Sequence, residues 1–124
     1  MKDGWIGVDL DGTLAVDDWA PGCYTGEIGA PIPLMVLRVR EWIAQGYEVR
    51  IFTARVSRVN RDGARKTELA MKLVQDYIGD WCEKHIGKRL DSVCEKDYSM
   101  VALWDDRAVQ VVKNTGERVG NVER

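Results

Sequence analysis

Trp5-Ile6-Gly7-Val8-Asp9-Leu10-Asp11-Gly12-Thr13 stands near the start of the chain, four uncharged residues followed by two carboxylates one residue apart, then glycine and threonine. A short uncharged run of this kind reads as a strand buried on both faces. The abrupt switch to Asp-x-Asp-Gly-Thr marks where that strand leaves the core for a polar turn. A strand buried on both faces needs neighbours, and the following sequence offers them in alternation with helices.

Pro33 suits the first turn of a helix, and Ile32, Met35, Val36, Val39, Trp42 and Ile43 recur at helical spacing until Gly46 stops the pattern. Tyr47-Glu48-Val49-Arg50-Ile51-Phe52 alternates apolar and polar, the signature of a second strand. A longer helix is predicted after Asp62 from the stripe Ala70, Leu73, Val74, Tyr77, Ile78, Trp81, Cys82, His85 and Ile86. Gly79 interrupts it at a cost of about 1 kcal/mol relative to Ala, a point for a bend or break. Further strands are predicted at Ser92-Val93-Cys94, Val101-Ala102-Leu103-Trp104 and Val109-Gln110-Val111-Val112, before a turn at Asn114-Thr115-Gly116. The alternation predicts an α/β domain with a mostly parallel sheet of five strands.

With 124 residues, 45% of them hydrophobic and 31% charged, the chain is the size and composition of one soluble domain, expected to span 1–124. Its net charge of −2 fits neither a nucleic-acid coat nor a membrane-surface protein. No apolar run approaches the roughly 20 residues of a membrane helix, and Met1-Lys2-Asp3-Gly4-Trp5 lacks a signal-peptide core, so a cytoplasmic location is expected. Cys23, Cys82 and Cys94 lack metal-site spacing and read as small buried or half-buried thiols. His85, the single histidine, lies on the apolar stripe and reads as a packing residue.

In parallel α/β sheets, ligands bind beyond the carboxyl ends of the strands. The predicted ends carry Asp9, Asp11, Gly12 and Thr13, then Thr53-Ala54-Arg55, then Lys96, then Asp105-Asp106. Carboxylate oxygens suit a hard divalent cation, while Lys and Thr supply donors for phosphate. Taken singly, each is unremarkable: a polar turn, a strand end, a solvated lysine. A calcium loop is excluded, because Thr13 and Leu14 stand where its fifth-position oxygen ligand and sixth-position glycine belong.

Together and in this order, the four groups resemble the motifs of haloacid-dehalogenase-type hydrolases over about residues 5–113. The resemblance implies a three-layer Rossmann-like domain and a phosphatase working through an aspartyl-phosphate. It makes Asp9 the nucleophile and Asp11 the general acid and base, which needs a proton available at working pH. Thr53 and Lys96 would hold the non-bridging phosphate oxygens. Mg²⁺ would be held by Asp9, Asp11 (through its backbone carbonyl as well), Asp105 and Asp106. Gly12 and Thr13 would line the phosphate loop.

Many relatives of that type carry an inserted cap, but neither gap between motifs leaves room for one. What remains is a small flap over about 14–31, rich in Gly and Pro and bearing Trp19 and Tyr24, which suit either a stacking surface or a satellite core. Capless members tend to act on large substrates or borrow a neighbouring subunit as cover, so a homo-oligomer is one expectation. After Thr53 come Arg55, Arg58, Arg61, Arg65 and Lys66 against a single acid, Asp62. This stretch is either a solvated lead into the helix or an anionic clamp in which Arg55 and Arg58 bind substrate. Its placement is similar to that in the phosphatase domain of polynucleotide kinase-phosphatases, which would suit a nucleotide or a nucleic-acid end. A small phosphorylated substrate is the other expectation. The rival from another class is a non-enzymatic phosphoacceptor or phosphate-binding module with a receiver-like acidic site.

Overall fold

The computed structural model describes residues 3–19 and 25–120. Pro21, Gly22, Cys23 and Tyr24 of the flap lie outside the described residues. Strand β1 (Trp5–Val8) is buried at all four positions, as its uncharged run predicts. Helix α1 (Pro33–Ala44) starts on its proline and stops at Gly46, whose φ of +93° suits the left-handed turn after the helix. Strand β2 is Glu48–Phe52 and alternates buried with open positions. Helix α2 (Glu68–His85) is capped by Thr67, whose hydroxyl accepts the Ala70 N–H at 3.1 Å. Strands β3 (Ser92–Val93) and β4 (Met100–Trp104) complete a sheet in the order β3-β2-β1-β4, parallel throughout.

Ile6 and Val8 of β1 and Val49 and Ile51 of β2 form one core with Met35, Val36 and Val39 of α1 and Met71, Ile78, Trp81 and Cys82 of α2. Residues of one parity face both helices, so both helices cover the same side of the sheet. Two expectations are corrected here. The sheet has four strands, not five, and the described residues build two layers, not three. Residues 109–112 stay out of the sheet because their partners are local. Val111 bridges Arg118 across the Asn114-Thr115-Gly116 turn, and the Val112 N–H donates to the Glu117 carbonyl at 2.7 Å. A β-branched run announces a strand without saying whether its partner is near or far in sequence.

On the sheet's other face, Trp5 is covered by the Arg50 guanidinium, 4.5 Å from the ring centroid. The Trp5 indole N–H donates to Asp97 at 2.9 Å, pinning the segment between β3 and β4 as it crosses to the far side of β1. Helix α2 is unbroken at Gly79. A Cβ there would sit 2.6 Å from Arg89 Nη2, so the glycine admits a guanidinium against the helix, where it donates to the Asp76 carbonyl at 3.2 Å.

This strand order has one decisive consequence. The chain steps outward from β1 to β2 to β3, then returns to the opposite side of β1 as β4. The crevice at such a reversal opens beyond the carboxyl ends of β1 and β4.

Candidate functional site

Val8 pairs with Trp104, and the Asp9 N–H donates to the Trp104 carbonyl at 2.8 Å. Asp9 and Asp105 therefore leave the sheet side by side. One carboxylate oxygen from each of Asp9, Asp105 and Asp106 lies within 4.8 Å of the others. Thr13 ties the early turn to the late one: its hydroxyl accepts the Asp106 N–H at 2.9 Å. The same oxygen lies 3.1 Å from Asp106 Oδ1 and 3.3 Å from Asp9 Oδ2, and its single proton serves one carboxylate at a time. Gly12 has φ +93°, and a Cβ on it would fall 2.7 Å from Asp106 Oδ2, so both backbone and space demand glycine.

Burial, the hydrogen bond to Asp106, and the charges of Asp105 and Asp106 push the Asp9 carboxyl up to about 7; the Thr13 hydroxyl opposes this more weakly. Crowded carboxylates of this kind are relieved by a cation, and an all-oxygen set favours a hard one such as Mg²⁺. The residues fit such an ion.

Asp11 lies outside this cluster. Both its oxygens accept from Arg55, Oδ2 from Nε at 2.7 Å and Oδ1 from Nη2 at 2.8 Å. The same guanidinium donates to the carbonyls of Gly26 (2.6 Å) and Glu27 (3.0 Å) in the flap. Arg55 is thus committed to protein acceptors, where the sequence suggested a substrate ligand. Thr53 is buried at the carboxyl end of β2, and its hydroxyl accepts the Arg55 N–H at 3.2 Å, capping a single 3₁₀ turn, Ala54–Val56. Arg58 is exposed, 3.7 Å from Glu68.

Lys96 is exposed, its neighbour Asp97 is held by Trp5 and Arg50, and among the described residues no ion pair joins it to the acidic cluster.

No family model, curated protein or solved structure matches the chain. The chemistry is therefore carried by the residues themselves.

Three features were not anticipated. The returning leg of the flap is held residue by residue. Arg55 takes the Gly26 and Glu27 carbonyls, the Tyr77 hydroxyl accepts the Ile28 N–H at 3.0 Å, and the Trp81 indole donates to the Gly29 carbonyl at 3.2 Å. The polar tips of Tyr77 and Trp81 on an otherwise apolar stripe were the available signal. Second, residues 58–66 form a small hairpin with a Val59–Arg65 bridge. Its base is closed by the Lys66 N–H on the Arg58 carbonyl (2.8 Å) and by Lys66 Nζ on the Arg55 carbonyl (3.0 Å). Third, Gly29 abuts the outgoing leg so closely that a Cβ would lie 2.1 Å from the Val16 carbonyl oxygen. Gly29→Ala is expected to lower stability by about 1–3 kcal/mol, read as a drop in the thermal midpoint, because backbone must move to admit the methyl group.

His85 and Cys82 pack as expected: the His85 ring lies 4.7 Å from that of Trp81, and burial raises the Cys82 thiol to about 11. Trp42 meets Trp104 at 5.1 Å, but Trp104 stays exposed rather than joining the core. No helix among the described residues is long and apolar enough to cross a membrane.

Proposed function

We propose that this chain is a Mg²⁺-dependent phosphomonoester phosphatase acting through an aspartyl-phosphate, on small or nucleotide-type anionic substrates. The observation that supports it most is the meeting of Asp9, Asp105 and Asp106 at the reversal between β1 and β4, with Asp11 and Thr53 on neighbouring turns. Asp9, Asp105 and Asp106 would hold the metal, which when bound supplies the positive charge that lets a phosphate dianion share the site with carboxylates.

In the first step an Asp9 oxygen bonds to phosphorus while the ester P–O bond breaks, and a proton on Asp11 passes to the leaving oxygen. In the second, Asp11 takes a proton from water as the water oxygen attacks phosphorus, and Asp9 departs as carboxylate. The Thr53 hydroxyl accepts the Arg55 N–H and would offer its own proton to a non-bridging oxygen. Steady turnover of p-nitrophenyl phosphate, lost on chelation and in Asp11→Asn, is the expected result. One phosphoryl group taken up per chain from acetyl phosphate, without turnover, would instead identify a phosphoacceptor module.

The hairpin supports an anionic substrate. Arg58, Arg61 and Arg65 are all exposed on it, beside a hollow of about 460 Å³ lined by Arg58, Glu68, Lys72 and Gln75. Arg61→Ala with Arg65→Ala is expected to raise KM for a 3′-phosphorylated oligonucleotide about 10-fold or more at low salt, an effect that fades as salt rises. KM for p-nitrophenyl phosphate should change less than about twofold, since that ester carries no chain of phosphates to contact the hairpin. Equal changes on both would remove the hairpin from substrate recognition.

A further inference from the structure

Arg55 is the most heavily engaged side chain near the site. Its side chain is only 10% exposed, and among the described residues four of its hydrogen bonds run to two destinations, the Asp11 carboxylate and the flap carbonyls of Gly26 and Glu27. Asp11 stands two residues from Asp9, and both its carboxylate oxygens accept from Arg55. The guanidinium is the cation that holds this carboxylate in place. The guanidinium in turn is oriented by acceptors that belong to the flap. A planar fork satisfies all four acceptors in one geometry, which a lysine ammonium cannot reproduce.

We propose that Arg55 is a positioning residue that straps the flap to Asp11, so that docking of residues 26 and 27 fixes the carboxylate that delivers the leaving-group proton. The proposal rests on the phosphatase reading for its chemistry, though not for the strap itself. One Asp11 oxygen stays on the guanidinium while the other carries the proton. As Asp9 bonds to phosphorus, the ester bond breaks toward its oxygen, and that proton completes the alcohol. When the flap lifts, Arg55 loses its carbonyl acceptors and Asp11 loses its orientation.

The distinguishing readout is the leaving group. p-Nitrophenolate departs readily without a proton, whereas the alkoxide of glycerol 2-phosphate does not. In Arg55→Gln and Arg55→Lys, kcat/KM for glycerol 2-phosphate is expected to fall about 100-fold, the range of a lost general acid, and for p-nitrophenyl phosphate less than about fivefold. Gly26→Ala tests the flap end without touching a side chain. At φ +85° its backbone is strained by any substituent, yet the Cβ meets nothing within 4 Å. It should produce the same selective loss in milder form, and it remains informative if the Arg55 variants do not fold.

Deuterium exchange of amides 25–30 is expected to rise about 10-fold in Arg55→Gln and in Asp11→Ala, which removes the acceptors at the other end of the strap. Equal losses on the two esters, or unchanged flap exchange, would overturn the proposal. If the wild type hydrolyses neither ester but the flap loosens in both variants, the phosphatase reading fails while the strap stands.

Discussion

Asp9→Asn is expected to abolish phosphatase activity and, in the metal-free protein, to raise stability. The loss of activity follows from the role: an amide cannot form the acyl-phosphate, so turnover of p-nitrophenyl phosphate should drop by more than about 10³-fold. The gain in stability follows from the environment. In the folded chain the Asp9 carboxyl is pushed up to about 7, from 3.8 for an unperturbed aspartate, first by burial and then by Asp106 and Asp105. Between about pH 4 and 7 the native state holds a proton that the unfolded state has released, so stability falls as pH rises through that window. Above it the whole penalty is present. An asparagine carries no charge to bury and donates to the neighbouring carboxylates. Because the carboxyl is only half-buried, the shift is discounted for solvent screening to roughly 1–2 kcal/mol at pH 8, about 3–8 °C in the thermal midpoint. Below pH 4 the advantage should vanish. A variant less stable than wild type at pH 8 would contradict the crowding on which the site is built.

The second large effect is the response to a divalent cation. Mg²⁺ at about 100 times its dissociation constant should stabilise the wild type by about 2.7 kcal/mol at pH 8. Ligation requires Asp9 to be ionised, so the apparent affinity should weaken by about tenfold for each pH unit below 7. Chelation should reverse both the stabilisation and the activity. Asp105→Asn should remove most of the response, since it strips a ligand that stands beside Asp9 in register. A thermal midpoint indifferent to Mg²⁺ at pH 8 would mean that the three carboxylates are a surface acidic patch. Arg50 and Arg89 lie far from this chemistry in role: each is occupied by surface acids, Glu48 and Asp80.

The strands and helices that place the site were legible because their burial is one-sided or complete. Trp5-Ile6-Gly7-Val8 has no polar residue to leave in water, and α1 and α2 repeat their apolar residues at helical spacing. The motif residues Asp9, Thr53 and Asp105 follow strands, and the strands place them on one rim. Three things were hidden. Residues 109–112 look like a sheet strand because β-branched residues fit a local hairpin equally well. Gly79 looks like a helix breaker because the guanidinium that needs its space comes from outside the helix. Arg55 looks like a substrate ligand because sequence shows its charge and not its partners, two of which are backbone carbonyls that any residue could supply.

Strand β4 contains one residue more than β1 needs. Trp5 pairs with Met100 but Ile6 pairs with Ala102, leaving Val101 as the surplus. Were the pairing to run on unbroken from Trp5 and Met100, with Val101 opposite Ile6, Asp9 would stand opposite Trp104 and the acidic pair would begin one place too late. Val101 acts as a spacer between two anchoring demands, the Trp5 amide on the Ser99 carbonyl at one end and the carboxylates at the other. Shortening the strand there should leave the carboxylate partners opposite each other. Loss or gain of a residue between Ala102 and Trp104 would slide the acidic pair past Asp9. Tolerance to insertion and deletion along this strand is therefore uneven, permissive at its beginning and strict at its end.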